Sequence, residues 1–205
     1  YMMLKNAKIY KDANVLTQKN VNGEWESLTW TEFADRIAAV AKALIDMGIA
    51  AGDMCSVFSK NCSEWAVSDL GILATRAVSV PIYATNSKEE AEYIVNDAEV
   101  KVVFVGDQDQ YNRAAKIIAD NKYLKFIVAM QDNIKISGDK SEYLSKLIKK
   151  GRLLNNDKEF EDRLNNVDPD DIVTIIYTSG TTGNPKGAVH THRSFLTGIF
   201  PSLRY

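Results

Sequence analysis

Cysteine, histidine and proline are scarce in this chain: two, two and four among 205 residues. Two cysteines cannot build the multi-bridge framework of a small secreted domain. Cys55 sits in an apolar run and Cys62 at the start of a helical pattern, so both read as small buried hydrophobes in a reducing, cytosolic compartment. The two histidines form a His-x-His pair, His190 and His192. On one strand they would point the same way and could share an ion, but no third ligand stands nearby, so no metal site is assigned. No apolar run reaches the ~18 residues a membrane-spanning helix needs, and no signal-peptide pattern is visible. Neither sign of charge dominates, with 25 Lys and Arg against 27 Asp and Glu, a net charge of −2. Bulk charge therefore gives no basis for a nucleic-acid partner. There are no repeats and no low-complexity linker. The chain opens Tyr1-Met2-Met3, so the true initiator is expected outside it.

What is present is an ordinary globular composition, 45% hydrophobic and 25% charged, in a chain long enough for one or two domains with a sizeable core. Helical and strand patterns alternate. Thr29-Trp30-Thr31-Glu32 is a capping box, and Phe33, Ile37, Val40, Ala41 and Leu44 recur at helical spacing behind it. Gly48 is a natural stop, and Gly52-Asp53 turns into a strand from Met54 to Phe58. Ser63-Glu64-Trp65 opens a helix running to about Arg76, and Ala77 to Ile82 reads as a strand closed by Pro81. Ser87-Lys88-Glu89-Glu90 caps a helix through Asp97. Lys101 to Val105 is a strand, Gln108 to Asp120 a helix and Lys125 to Met130 a strand. Residues 141–150 and 156–165 look helical and more polar. Lys146, Lys149, Lys150 and Arg152 cluster at a helix end, where cations complement the dipole; the default is a solvated face, the alternative a membrane-surface or substrate-docking patch. Asp168-Pro169-Asp170-Asp171 is a turn, Ile172 to Tyr177 a buried strand, Ala188 to Thr191 a short strand, and His192 to Phe200 a final helix. Trp25, Trp30 and Trp65 read as core or sub-core aromatics. Such alternation predicts an α/β fold, mostly parallel sheet flanked by helices on both faces, which binds ligands at the carboxyl ends of its strands.

One loop stands at such a strand end. Thr178-Ser179-Gly180-Thr181-Thr182-Gly183-Asn184-Pro185-Lys186-Gly187 holds four hydroxyls, three glycines and one lysine. Glycines let the backbone aim N–H groups at anionic oxygens, hydroxyls add hydrogen bonds, and Lys186 supplies a full charge. The string is neither a Walker loop nor a GxGxxG fingerprint. Two residues separate Gly180 from Gly183, Lys186 is followed by glycine, and a strand rather than a helix comes next.

This loop, with Asp170-Asp171 and Tyr177 before it, resembles the phosphate-binding signature of the adenylate-forming superfamily: acyl-CoA synthetases, aryl-CoA ligases, luciferases and peptide-synthetase adenylation domains. Thr191 and His192 match the residues that close the motif. Trp30 to Phe33 with Gly48 and Gly52-Asp53, and Ser59 to Trp65 with Ala77 to Tyr83, also resemble the family. Val80 to Ser87 and Tyr93 to Asp97 resemble its long-chain fatty acyl-CoA synthetase branch in particular. The resemblance covers most of the chain but only the first part of the family's pattern. It implies that residues 1–205 are an N-terminal portion of the large AMP-binding domain, ending shortly after the phosphate loop and without the small C-terminal domain.

For the parent enzyme the resemblance implies attack of a fatty carboxylate on the α-phosphate of ATP, release of pyrophosphate, and transfer of the acyl group to coenzyme A. Thr178, Ser179, Gly180, Thr181, Thr182, Gly183 and Lys186 would hold the ATP phosphates with Mg2+, and no catalytic residue is assigned within the chain. Aryl or short-chain ligases and adenylation domains remain alternatives within the superfamily, and a non-catalytic nucleotide- or phosphate-binding module remains one outside it. The isolated chain is expected to be inactive, cytoplasmic with peripheral membrane contact as an option, and prone to self-association through an apolar surface.

Overall fold

Thr29 ends a strand and begins the longest helix. Its hydroxyl accepts the Glu32 N–H at 3.2 Å while the Glu32 carboxylate accepts the Thr29 N–H at 2.9 Å, so two otherwise unpaired donors are satisfied at once. The computed structural model describes residues 2–20, 22–178 and 184–199. In chain order its elements are α1 (Met2–Tyr10), β1 (Asn14–Lys19), β2 (Trp25–Thr29), α2 (Trp30–Asp46), β3 (Met54–Ser59), α3 (Ser63–Ala74), β4 (Val78–Ser79), β5 (Ile82–Tyr83) and α4 (Lys88–Asp97). There follow β6 (Val102–Val105), α5 (Gln108–Asp120), β7 (Phe126–Ala129), β8 (Ser141–Tyr143), α6 (Leu144–Leu153), α7 (Asp157–Asn165), β9 (Ile172–Thr178), β10 (Lys186–Thr191) and α8 (His192–Ile199).

The main sheet runs β10-β9-β4-β3-β6-β7-β8, with β5 also beside β3. Every join is parallel except β10 on β9. This is the mostly parallel, helix-flanked α/β fold that the alternation predicts. Successive side chains of a strand face opposite ways, and both sides of this sheet are covered. Val102 and Phe104 join Cys55 and Val57 in a core beneath α2, α3 and α6. Val103 and Val105 join Phe58 in a second core beneath α4 and α5. Burial on both faces is why the central strands read as continuous apolar runs. Helix α2 is gripped closely by its neighbours. A Cβ on Gly71 of α3 would lie 2.5 Å from Val40 Cγ1, and one on Gly151 of α6 only 1.9 Å from the Ala39 carbonyl oxygen.

Several local expectations need correction. The helix after Ser63 stops at Ala74 because Arg76 adopts φ +63°, the left-handed conformation that ends a helix. The strand expected over 77–82 is split into β4 and β5 around Pro81, which has no N–H to give a ladder. Residues 141–143 are not helical. They pair with Ile127 to Ala129 and supply partners to the outer edge of β7, so the helix begins only at Leu144. Trp25 is 71% exposed: the β1–β2 hairpin is a separate two-stranded sheet with no layer over that face, and the Lys19 ammonium lies 5.3 Å from the Trp25 ring. Trp65 packs against the first core, and Trp30 meets the Tyr10 ring at 5.7 Å. Helix α1 and the hairpin have no counterpart in the sequence reading.

Candidate functional site

The sheet brings Thr178 and Lys186 opposite each other. Strands β9 and β10 form an antiparallel hairpin whose register starts at the Lys186–Thr178 pair. Because β9 runs parallel to β4, and through it to β3, β6 and β7, that pair stands at the carboxyl edge of the sheet. Both residues are exposed. Ser179, Gly180, Thr181, Thr182 and Gly183 lie outside the described residues, so of the sequence-assigned phosphate ligands only the two flanking ones are placed.

Lys186 is followed by glycine for a packing reason. Gly187 pairs with Tyr177, and a Cβ there would come within 2.7 Å of Ile175 Cγ2 and 3.1 Å of Tyr177 Cζ. The Tyr177 ring is buried, meets the Tyr93 ring edge-on at 6.5 Å, and its hydroxyl donates to the Asp97 carboxylate at 2.6 Å. Burial pushes the Tyr177 phenol up, and the Asp97 contact adds to the shift, so the phenol stays protonated. The last inward side chain before the loop is therefore anchored to the end of α4.

A second tether fixes β9 to β4, which it meets through one register pair, Ser79 and Thr174. The Thr174 hydroxyl donates to the Ser79 carbonyl at 2.8 Å, and the Ser79 hydroxyl to Asp69 at 2.5 Å. Burial raises the Asp69 carboxyl, with the Ser79 bond opposing that shift. A third tether closes the far end. The Asp171 carboxylate accepts the Asp168 N–H at 3.0 Å and pairs with Arg76 at 2.8 Å, and these contacts hold it below the usual carboxylate range. The Arg193 guanidinium takes both oxygens of Asp170 at 2.7 and 3.1 Å, while the His192 and Arg193 N–H groups donate to the Asp171 and Pro169 carbonyls. The expected turn is thus a socket for the start of α8.

Asp69, Ser79, Thr174 and Asp97 were not singled out as site-supporting residues by sequence. Tyr177 offered the one signal, as an aromatic directly before a hydroxyl-rich loop. The histidines do not share a strand: His190 lies on β10, the register shifts after it, and His192 begins α8. Burial lowers the His192 imidazole, against the pull of Asp171. Both thiols are free. Cys55 is fully buried, which pushes it up to about 12, and Cys62 caps α3 by accepting the Trp65 N–H at 3.3 Å.

Fold and hairpin together define a class: an α/β protein in which Thr178 and Lys186, the residues flanking a hydroxyl- and glycine-rich sequence, stand at the carboxyl edge of a doubly covered, mostly parallel sheet. Residues 4–203 match the family described as AMP-binding enzyme, and the chain belongs to that family. It is 34% identical over 191 residues to the long-chain-fatty-acid–CoA ligase FadD15 of Mycobacterium bovis, covering 93% of this chain and 31% of that protein. It is 29% identical over 202 residues to the human long-chain-fatty-acid–CoA ligase 1, covering 94% and 28%. The chain thus spans about a third or less of the length of these relatives. Its fold matches the anthranilate CoA ligase AuaEII in complex with anthranoyl-AMP, with TM-score 0.81 at 22% identity over 98% of this chain and 36% of that one.

Proposed function

We propose that this chain carries the ATP-phosphate-binding edge of a long-chain-fatty-acid–CoA ligase. The observation that carries the reading is the register pair of Thr178 and Lys186, which sets a hydroxyl and an ammonium on either side of the glycine-rich loop. In-line attack of a fatty carboxylate on the α-phosphate of ATP turns the β- and γ-phosphates into a leaving group. Donors fixed in advance around those phosphates stabilise the charge as it develops. The hairpin tethers at Asp97, Ser79 and Asp171 hold that edge in place before the nucleotide arrives. The carboxylate is already ionised, so the loop needs no general base. Displacement of AMP by the thiol of coenzyme A then completes the thioester.

Mg2+ bound with the polyphosphate would supply charge neutralisation there. The exposed Thr178 hydroxyl fits an oxygen-seeking ion of this kind, while no three His, Cys, Asp or Glu among the described residues come together as a metal site. In this reading residues 1–205 are the first portion of the large domain, inactive alone, with the adenine, ribose and coenzyme A contacts supplied by the rest of the parent. The free thiols of Cys55 and Cys62 support a cytoplasmic setting, and the similarity to long-chain-fatty-acid–CoA ligases supports the fatty-acid substrate. Fatty-acid-dependent exchange of pyrophosphate into ATP is the test. Exchange by the parent with long-chain carboxylates, and none by the chain alone, is expected. No exchange by either across a panel of carboxylates would favour a non-catalytic phosphate-binding module.

A further inference from the structure

The edge of the sheet opposite the loop holds a groove that adenylation does not use. Met47, Ile49, Val102, Phe126 and Leu147 line a cavity of about 580 Å3 at the amino-terminal ends of β6 and β7. Four lysines surround this apolar lining, Lys101, Lys125, Lys146 and Lys150, with a single carboxylate, Glu142. The fold explains the ring. Lys101 and Lys125 directly precede neighbouring strands, the Lys125 N–H donating to the Lys101 carbonyl at 2.8 Å, and Val102 then pairs with Phe126. Lys146 and Lys150 lie one turn apart on α6, beside Leu147.

These lysines are engaged, but loosely. Lys101 pairs with Asp53 at 2.7 Å, Lys146 with Glu142 at 3.5 Å and Lys150 with Asp46 at 2.7 Å, while the Lys125 ammonium donates to the Lys122 carbonyl. The paired lysine side chains are 44%, 61% and 55% exposed. Ion pairs at such exposure contribute little and exchange partners readily. With the Asp46 and Asp53 partners counted beside Glu142, the four lysines of the groove exceed these carboxylates by one positive charge.

We propose that this groove binds a single-chain amphipathic anion, an alkyl carboxylate whose chain lies on Met47, Ile49 and Phe126 and whose head sits among the lysines. An apolar cavity with a few charged groups at its margin is how pockets of ~300–1,000 Å3 orient a ligand. The lining is concave, which suits a monomeric chain rather than the plane of a bilayer. Its lack of polar groups in the floor offers nothing to a nucleotide base. The site goes beyond the adenylation reading and does not rest on it, because the two lie at opposite edges of the sheet.

Titration calorimetry of the 205-residue chain with dodecanoate, kept below its micelle threshold, tests this. The comparison ligands are dodecyltrimethylammonium and phosphatidylcholine–phosphatidylserine vesicles. One saturable dodecanoate site is expected, with amide NMR shifts centred on Met47 to Ile49, Val102, Phe126 and Leu147. Lys146→Glu with Lys150→Glu should weaken it about tenfold or more, as should Lys125→Glu alone to a lesser degree, with circular dichroism unchanged. Lys186→Ala should leave it intact. No saturable site, equal affinity for the cationic amphiphile, full binding by the charge-reversed variants, loss of binding in Lys186→Ala, or binding to vesicles only would each overturn the proposal. Lys125, Lys146 and Lys150 lie away from the phosphate edge, so binding in the groove and pyrophosphate exchange are separate readouts.

Discussion

Strands β6 and β10 belong to one sheet and are held by different means. All four residues of β6 are buried, whereas β10 is exposed from Lys186 to Val189. Ile172, Val189, Phe195 and Leu196, large apolar side chains that are substantially exposed, all belong to β9, β10 or α8. The centre of the sheet is specified by burial on both faces, which fixes strands without any particular partner. The hairpin that carries the candidate phosphate site is specified by named contacts: Tyr177 to Asp97, Thr174 to Ser79, and the Asp168–Asp171 turn to Arg76 and Arg193. A binding edge must stay open to its ligand, so it cannot be secured by the same covering that secures the core. Exposed apolar residues favour association, so light scattering of this chain at rising concentration is expected to show a growing apparent mass.

Breaking the buried half should have the largest effect. Phe104 is fully buried, so Phe104→Ala is expected to destabilise the fold by ~3–5 kcal/mol, read as a lower urea midpoint. Gly187→Ala comes next. The added methyl must displace Ile175 or the Tyr177 ring, for a loss of ~1–3 kcal/mol. Equal stability of this variant would show that the ring does not hold the glycine in place. Tyr177→Phe removes one hydrogen bond, worth ~0.5–1.5 kcal/mol, and sharpens the comparison. Amide exchange should accelerate at residues 186–191 while residues 102–105 stay protected, whereas uniform acceleration would mean that the two regions are not separately secured. The smallest effect concerns pH. Burial keeps the His192 imidazole below its ordinary value of ~6.5. Its stabilising contribution is present above that value and is lost as pH falls through the lowered one. The urea midpoint should therefore decline on acidification from neutrality, and His192→Gln should flatten that part of the profile.

The same contrast explains what could be read in advance. Helix α2 was legible because Thr29 and Glu32 are three residues apart and its apolar stripe is periodic; α4 and α5 have the same local grammar at Ser87 and Asp107. The Thr178 to Gly187 string was legible as chemistry because its residue types converge within ten positions. Strand β8 was not, since its three residues are strand only by pairing with β7. Nor was the β1–β2 hairpin, where Trp25 carries an aromatic into solvent. The tethers were the least legible part. Tyr177 and Asp97 are 80 residues apart, and Arg76 and Asp171 are 95 apart; no local pattern announces a partner at that distance.

The most direct test of the phosphate-edge assignment is fatty-acid-dependent ATP–pyrophosphate exchange in the full-length parent, wild type against Lys186→Ala, with urea midpoints measured on the same preparations. Loss of one charge-assisted contact costs about 1.5–3 kcal/mol, so exchange should fall roughly 10- to 150-fold while the midpoint stays put, because Lys186 is exposed. Exchange near the wild-type rate would contradict the account and leave the hairpin as scaffold alone.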